Sequence, residues 1–436
     1  MTAVSYPGVY IEEIPSGVRT ITGVSTATTA FVGRALKGPV ETPTEITSFG
    51  EYDSIFGGLS DLSPMSFAVQ QYFLNGGRTA VIVRVVAGAA AAARFQIPGA
   101  AGNLTLDASS PGLWGANLRI EIDTANVSSP GLFNVIVNDP APPGGTGKGG
   151  SETIRNVSAN AASPRFVTPI LQQQSQFLRV APATTVRLPF GTRGTRTTLN
   201  GAITNAATTV NVQPGDGALF PTTFPYNLAI EAEIVQVTAR AVDTFTVARG
   251  VNGTTAAAHA DGTLVGLQPM PAIAPASNGS DGSALGAGDV NHAAGPTGKH
   301  GMYALEDQDI FNILVIPPLA FGTDLPVSVS AAAATYCRDR RAFLMIDSPD
   351  GTIAAPATTA KAGFDTLAAT LSPGSLDAQY AGYFFPRLNA ISPLTGVSQE
   401  FAPSGAIAGV FARTDASRGV WKAPAGLEAV RVIYLP

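Results

Sequence analysis

The sequence predicts an α+β or mixed α/β multidomain protein, with a discontinuous core domain, β-rich inserted domains and an extended terminal arm. Three observations lead there. An α/β pattern over residues 28–90 stops and resumes only at residue 301, so the core is expected to draw on both ends of the chain. The stretch between is full of short strands and of Gly, Ser, Pro and Asn. And 436 residues are more than one hydrophobic core usually organises. The boundaries read 1–25 for the arm, 26–92 and 301–436 for the core, 93–192 and 193–268 for two inserted β domains, and 269–300 for a linker.

At the start, Tyr6, Val9, Tyr10, Ile11 and Ile14 belong to a β-forming run bracketed by Pro7 and Pro15, which reads as one extended strand with turns at its ends. Its backbone groups need a sheet, either as the first strand of its own domain or by donation to another chain. TTAFVGRALKGP (28–39) is a strand closed by Gly-Pro. SPMSFAVQQYFLNGG (63–77) spaces Phe67, Val69, Gln70, Tyr72, Phe73 and Leu74 as a helix ending at Gly76 and Gly77. TAVIVRVV (79–86) is almost continuously apolar, as a strand buried on both faces is.

In the first insertion, Leu118, Ile120 and Ile122 alternate, as do Val135 and Val137, and APPGGTGKGG (141–150) reads as an exposed loop. In the second, Ile234, Val235 and Val237 precede Phe245 and Val247 across a short connection, and GTTAAAHADGTLV adds a further strand. Residues 269–300 carry no periodicity and read as a long loop or linker. From residue 301 the order is βαβαβ: FNILVIPP, the helix VSVSAAAATYCRDRR, AFLMIDSP, the helix AGFDTLAATL and the aromatic strand AQYAGYFFPRL. A last helix, PSGAIAGVFARTD, places Ile407, Val410 and Phe411 at i, i+3 and i+4.

Only 13% of residues are charged and 45% are hydrophobic, against about 25% charged in ordinary soluble domains. Such a surface is either covered by neighbours or built from small polar residues. The balance of 26 basic to 31 acidic side chains, with no basic block, argues against a nucleic-acid coat. The single cysteine, Cys337, excludes an intrachain disulfide and a cysteine metal cluster, and reads as a packed apolar thiol. MTAVSYPGVYIEEIPSG lacks the basic flank and apolar core of a signal peptide. Val81–Ala93, broken by Arg84 and Gly88, is too short to span a bilayer, so folding in the cytosol is expected.

No catalytic, cofactor or metal site is expected. Lys148 and Lys299 sit in glycine-rich stretches without the phosphate-loop spacing, and His259, His292 and His300 are scattered. Asp347 ends a parallel strand, where α/β enzymes place carboxylates, but before Ser348 and Pro349 it reads more simply as a turn residue. Asp339, Arg340 and Arg341 read as a charged helix end or an intersubunit patch, and no G-x-S-x-G elbow stands on the strands. In RTDASRGVWKAP (413–424), Arg413, Asp415, Arg418, Trp421 and Lys422 are either anchors at a buried helix end or an interface hot spot.

Two segments carry a resemblance. YPGVYIEEIPSG (6–17), running into TTAFVGRALKGP, resembles the start of contractile tail sheath proteins of myophages and related phage-like injection systems. SGAIAGVFARTDASRGVWKAPAG (404–426) resembles that family's passage from a helix into a Gly-Val-Trp-Lys-Ala-Pro turn. NGGRTAVIVRVV, LWGANLRI and RRAFLMIDSP fit the same pattern in the same order.

The resemblance implies a structural subunit, assembled in the bacterial cytoplasm, that stacks as hexameric rings around an inner tail tube protein, with baseplate and terminator proteins as further partners. It implies no nucleic acid and no direct membrane contact. It also implies that residues 6–14 link subunits by strand donation and that the 193–268 domain faces outward. Family members continue beyond the WKAP turn, so Val430–Leu435 stands for a shortened last strand or the chain is truncated. A different class, a surface protein binding glycans through the 193–268 domain, is the alternative.

Overall fold

The computed structural model describes residues 27–97, 104–124, 127–129, 131–141, 145–182, 186, 189, 196–231, 233–267, 273, 275–351, 356–371 and 374–425. The residue 6–14 strand and Val430–Leu435 lie outside them.

Both ends of the described chain build one sheet. Its strands are β1 (Thr29–Gly33), β2 (Thr44–Ile46), β3 (Ala80–Arg84), β4 (Ile313–Val315), β5 (Phe343–Asp347) and β6 (Ala381–Phe384), in spatial order β2-β3-β1-β4-β5-β6. All neighbours run parallel except β2 against β3. The mixed α/β, multidomain class is therefore the observed one. The apolar runs of β1 and β3 are explained by burial of both faces. Alternate residues divide between two cores, Ala30, Val32, Val81 and Val83 on one face and Phe31, Ala80 and Ile82 on the other.

Helices α1 (Phe49–Phe56), α2 (Pro64–Leu74) and α5 (Ser404–Arg418) cover the Phe31 face, and α3 (Val327–Arg340) and α4 (Pro356–Leu371) cover the other. Ser48 caps α1 by accepting from the Glu51 N–H, while the Glu51 carboxylate accepts from the Thr47 N–H at 2.7 Å. Ser63 caps α2 ahead of Pro64 in its first turn. Helix α5 lies so close on α2 that a Cβ at Gly405 would strike the Ala68 backbone and one at Gly409 the Tyr72 carbonyl. Two glycines one turn apart let the two backbones meet.

Between β3 and β4 the chain forms two β units. The first holds the antiparallel strands 94–97, 104–108 and 178–180 and a second three-stranded sheet, 119–123, 132–139 and 150–158. Phe95, Trp114, Ile120, Phe133 and Val135 share its core. The loop expected to be exposed at 141–150 instead returns to the α/β core. Thr146 N–H donates to Leu59 O, Gly147 N–H to Gly57 O and Lys148 N–H to Asp53 Oδ2. Gly147 has no room for a Cβ against Gly57, which explains the glycines of this run as a close-packed strap.

The second unit is a six-stranded antiparallel sheet in the order 196–198, 264–267, 226–230, 233–241, 244–248, 209–211. A Leu199–Val212 bridge and the Asn200 N–H to Asn211 O bond join its first and last strands, closing a small barrel. Residues 275–300, read as connection, are more than that. Ser280–Asp281 pairs with Ala90–Ala91, and Val290 is fully buried in the core beside Met302. Single apolar anchors of this kind leave no periodicity to read.

Candidate functional site

In an open parallel sheet, ligands bind beyond the carboxyl ends of the strands, where the strand order reverses. Here that point lies between β1 and β4. Arg84, almost wholly buried at the end of β3, donates from Nε to Ala35 O at 3.0 Å, from Nη1 to Gly38 O at 2.7 Å and from Nη2 to Pro111 O at 2.8 Å. Burial lowers its pKa to about 10, opposed by Asp281. Phe321 packs edge to face on both Phe67 and Phe401, which lie tilted to one another, leaving a void of about 20 Å³, room for about one water.

Arg387, buried in the turn after β6, donates from Nε to Ser348 O at 2.8 Å and pairs with Asp324 at 2.9 Å and Asp350 at 3.2 Å. Asp347 stands at the carboxyl end of β5. Its carboxylate accepts from the Ser404 N–H and Ser404 Oγ–H, both at 2.8 Å, and so caps α5. Desolvation pushes its pKa to about 6, against the two Ser404 bonds and Arg387.

The other chemical candidates have local explanations. Cys337 is fully buried, which pushes its thiol pKa far up and makes it inert. Lys299 pairs with Asp307. The rings of His292 and His300 lie 4.8 Å apart, tilted at 55°, with His300 Nδ1 2.7 Å from Glu41, while His259 lies in the barrel. Arg340 donates to Leu305 O at 2.9 Å and lies over Phe311, Arg338 pairs with Asp339 and Asp377, and Arg341 ends α3 in the left-handed conformation.

The remaining candidates gather at the end of α5. Arg413 lines an open cleft of about 380 Å³ with Gly76, Gly77, Arg78, Ala416 and Ser417. Asp415 is half-buried, with its pKa raised by that burial, and Arg418 is exposed. Gly419 turns the chain at φ 91°, leaving Val420 66% and Trp421 79% exposed. Lys422 Nζ reaches Ala423 O at 3.1 Å. Among the described residues, Trp421 therefore anchors no core. Two arginines lining a cleft and an exposed indole just past the end of the same helix have the composition of an interface hot spot.

No family model matches the sequence, and no curated protein does. Solved structures do. The chain is similar to the sheath tail protein of Listeria innocua, at 12% identity and a TM-score of 0.41 over 92% of this chain and 59% of that one. It is similar to that of Desulfitobacterium hafniense, at 13% and 0.39 over 93% and 62%. The third is the helical sheath of the anti-feeding prophage in its contracted state, at 14% and 0.34 over 98% and 57%. The chain spans about three fifths of the length of these proteins.

Sequence reasoning passed over the buried charges Lys37, Arg84, Glu233 and Arg387 and the partly buried Arg249. Arg84 did leave a signal: a cation inside TAVIVRVV must find acceptors or be expelled. Lys37 reaches Asp139 Oδ2 at 2.8 Å, with both side chains buried and the amine 5.8 Å from the rings of Trp114 and Phe177. Its partner lies in another domain, which local sequence cannot reveal.

Proposed function

We propose that the chain is the repeating subunit of a contractile tail sheath, a structural protein and not an enzyme. One observation carries the reading: the segments that resemble the family's two ends meet in a single core. Phe31 of the first packs in the same cluster as Ala408 and Ala412 of the second, with Ile407 and Phe411 against it. The β units hang from the connection between β3 and β4, as inserted domains do.

On this reading, subunits form hexameric rings that stack around an inner tube, with baseplate and terminator proteins at the ends of a phage tail or phage-like particle. The strand containing Tyr6, Val9, Tyr10, Ile11 and Ile14 is donated to a neighbouring subunit. Its backbone hydrogen bonds, each worth about 1 kcal/mol net, persist while rigid contacts change during contraction. Arg413, Asp415, Arg418, Trp421 and Lys422 supply one of those rigid contacts.

The test is negative-stain electron microscopy of the full chain, with and without a tube protein, and of a variant lacking residues 1–20. Hollow cylinders or stacked rings that vanish with the deletion are expected. Single subunits under every condition would refute the proposal.

A further inference from the structure

One buried contact joins the core to the first insertion through two groups that can react with each other. Lys37 Nζ lies 2.8 Å from Asp139 Oδ2, across 102 residues of chain, and the two side chains are 6% and 0% exposed. Both ends are held. The Lys37 backbone N–H donates to Phe56 O at 3.3 Å, at the close of α1. The Asp139 carboxylate is oriented by the Ala141 N–H, which donates to its other oxygen, Oδ1, at 3.2 Å. The rings of Trp114 and Phe177 stand 5.8 Å from the amine, and Trp114 is itself fixed by donation from Nε1 to Ser110 O at 3.2 Å.

An amine held this close to a carboxyl group is a reactive pair as well as an ion pair. In water the two do not condense, because hydration holds both charges and solvent favours hydrolysis. Inside the protein, burial disfavours both charges, and fixed geometry replaces a bimolecular encounter. The reaction balances within the pair. The ammonium passes one proton along the 2.8 Å contact to the carboxylate. The neutral amine then attacks Cγ, the bond from Cγ to the protonated oxygen breaks, and that oxygen leaves with a second amine hydrogen as water. Of the ammonium hydrogens, one stays on the new amide nitrogen and the others depart in the water. Net charge is unchanged, and no oxidant, nucleotide or metal is needed. The water has a way out, because Lys37, Trp114 and Phe177 line a cleft of about 470 Å³.

We propose that Lys37 and Asp139 join in an isopeptide bond that the folded chain forms by itself, a covalent rivet between the core and the first insertion. The bond forms in the single subunit, whatever that subunit assembles into. Under load, it keeps together two domains that a hydrogen-bonded pair would let separate.

Mass spectrometry of the purified full chain tests this. The chain should weigh one water less than its sequence. A tryptic digest should give a branched peptide joining residues 35–78 to residues 120–148, uncut after Lys37. Lys37→Arg, which keeps the cation, should restore the full mass. Asp139→Asn should lose an ammonia in place of the water, because the side-chain nitrogen then leaves. If either variant does not fold, the digest of the unmodified chain decides alone. Separate linear peptides ending at Lys37 and spanning Asp139, from folded protein left to stand for days, would overturn the proposal and leave an ordinary buried salt bridge. So would a loss of water that the digest places on other residues.

Discussion

Two insertions leave the same connection of the sheet and meet opposite fates. The first is welded to the core. It gives Asp139 to Lys37 of the core, Pro111 O to Arg84 and Ser110 Oγ to the Gly38 N–H, and its Gly145–Lys148 strap lies on the end of α1. The second closes on itself: its strands form a barrel, and its core cluster, from Leu199 to Leu267, is its own. Closure removes the free strand edges through which a β unit would pair with another chain. An insertion thus joins the load-carrying body by burying polar contacts with its host, and stays a separate cooperative unit by satisfying its own backbone.

Breaking the weld is the largest test. Lys37→Ala leaves Asp139 buried without its cation, which costs about 3–5 kcal/mol. Calorimetry of the full chain should show the transition of the core and first insertion falling well below that of the barrel, which holds its position. A barrel transition that falls equally would show that the second insertion is coupled after all.

Gly405→Val follows, because its side chain meets the Ala68 backbone, and backbone cannot yield as a rotamer does. A loss of about 2–3 kcal/mol is expected, read as a lower urea midpoint for the core. Gly419→Ser, whose Cβ meets only the exposed Trp421 ring and no backbone, sharpens the contrast by costing about 1 kcal/mol, chiefly through its positive φ.

How much of this was legible follows from how local each signal is. The sheet strands other than the three-residue β2, and α2, α3, α4 and α5, announce themselves because burial of β1 and β3 on both faces leaves apolar runs, and Gly76 and Gly77 mark the end of α2. Helix α1 escaped because eight residues, FGEYDSIF, are too few to show a period. Lys148 and its glycines looked like solvent-exposed loop because tight backbone packing and flexibility call for the same residue. Asp347 was placed correctly on the end of its strand, but its partner is Ser404, beyond any local window. The deciding charges of the structure all pair over long sequence separations.

Acid should separate the two regions with opposite signs. The folded-state pKa of Asp347 is raised to about 6, so its contribution to core stability is fully present below about pH 4 and lost as pH rises through about 6. Glu233 is held at about 2, so its contribution to the barrel is present above about pH 4.5 and lost as pH falls towards 2. Acidification from neutral pH should first raise the core transition, by the equivalent of about 2 kcal/mol or less, and then lower that of the barrel. Asp347→Asn should flatten the first limb and Glu233→Gln the second. Two limbs of the same sign would break the distinction.

The smallest effect on the isolated subunit, and the most telling for assembly, belongs to Trp421. Its indole is 79% exposed, so Trp421→Ala should change subunit stability by no more than about 0.5 kcal/mol, within the error of a denaturant titration. If the cleft of Arg78 and Arg413 with the neighbouring indole is a contact between subunits, the same substitution removes a large aromatic anchor from every repeat of a polymer. It should then raise the concentration needed for assembly at least tenfold, the equivalent of about 1.4 kcal/mol per contact. Assembly at an unchanged concentration, with stability also unchanged, would make Trp421 a bystander and move the rigid contact elsewhere on the core.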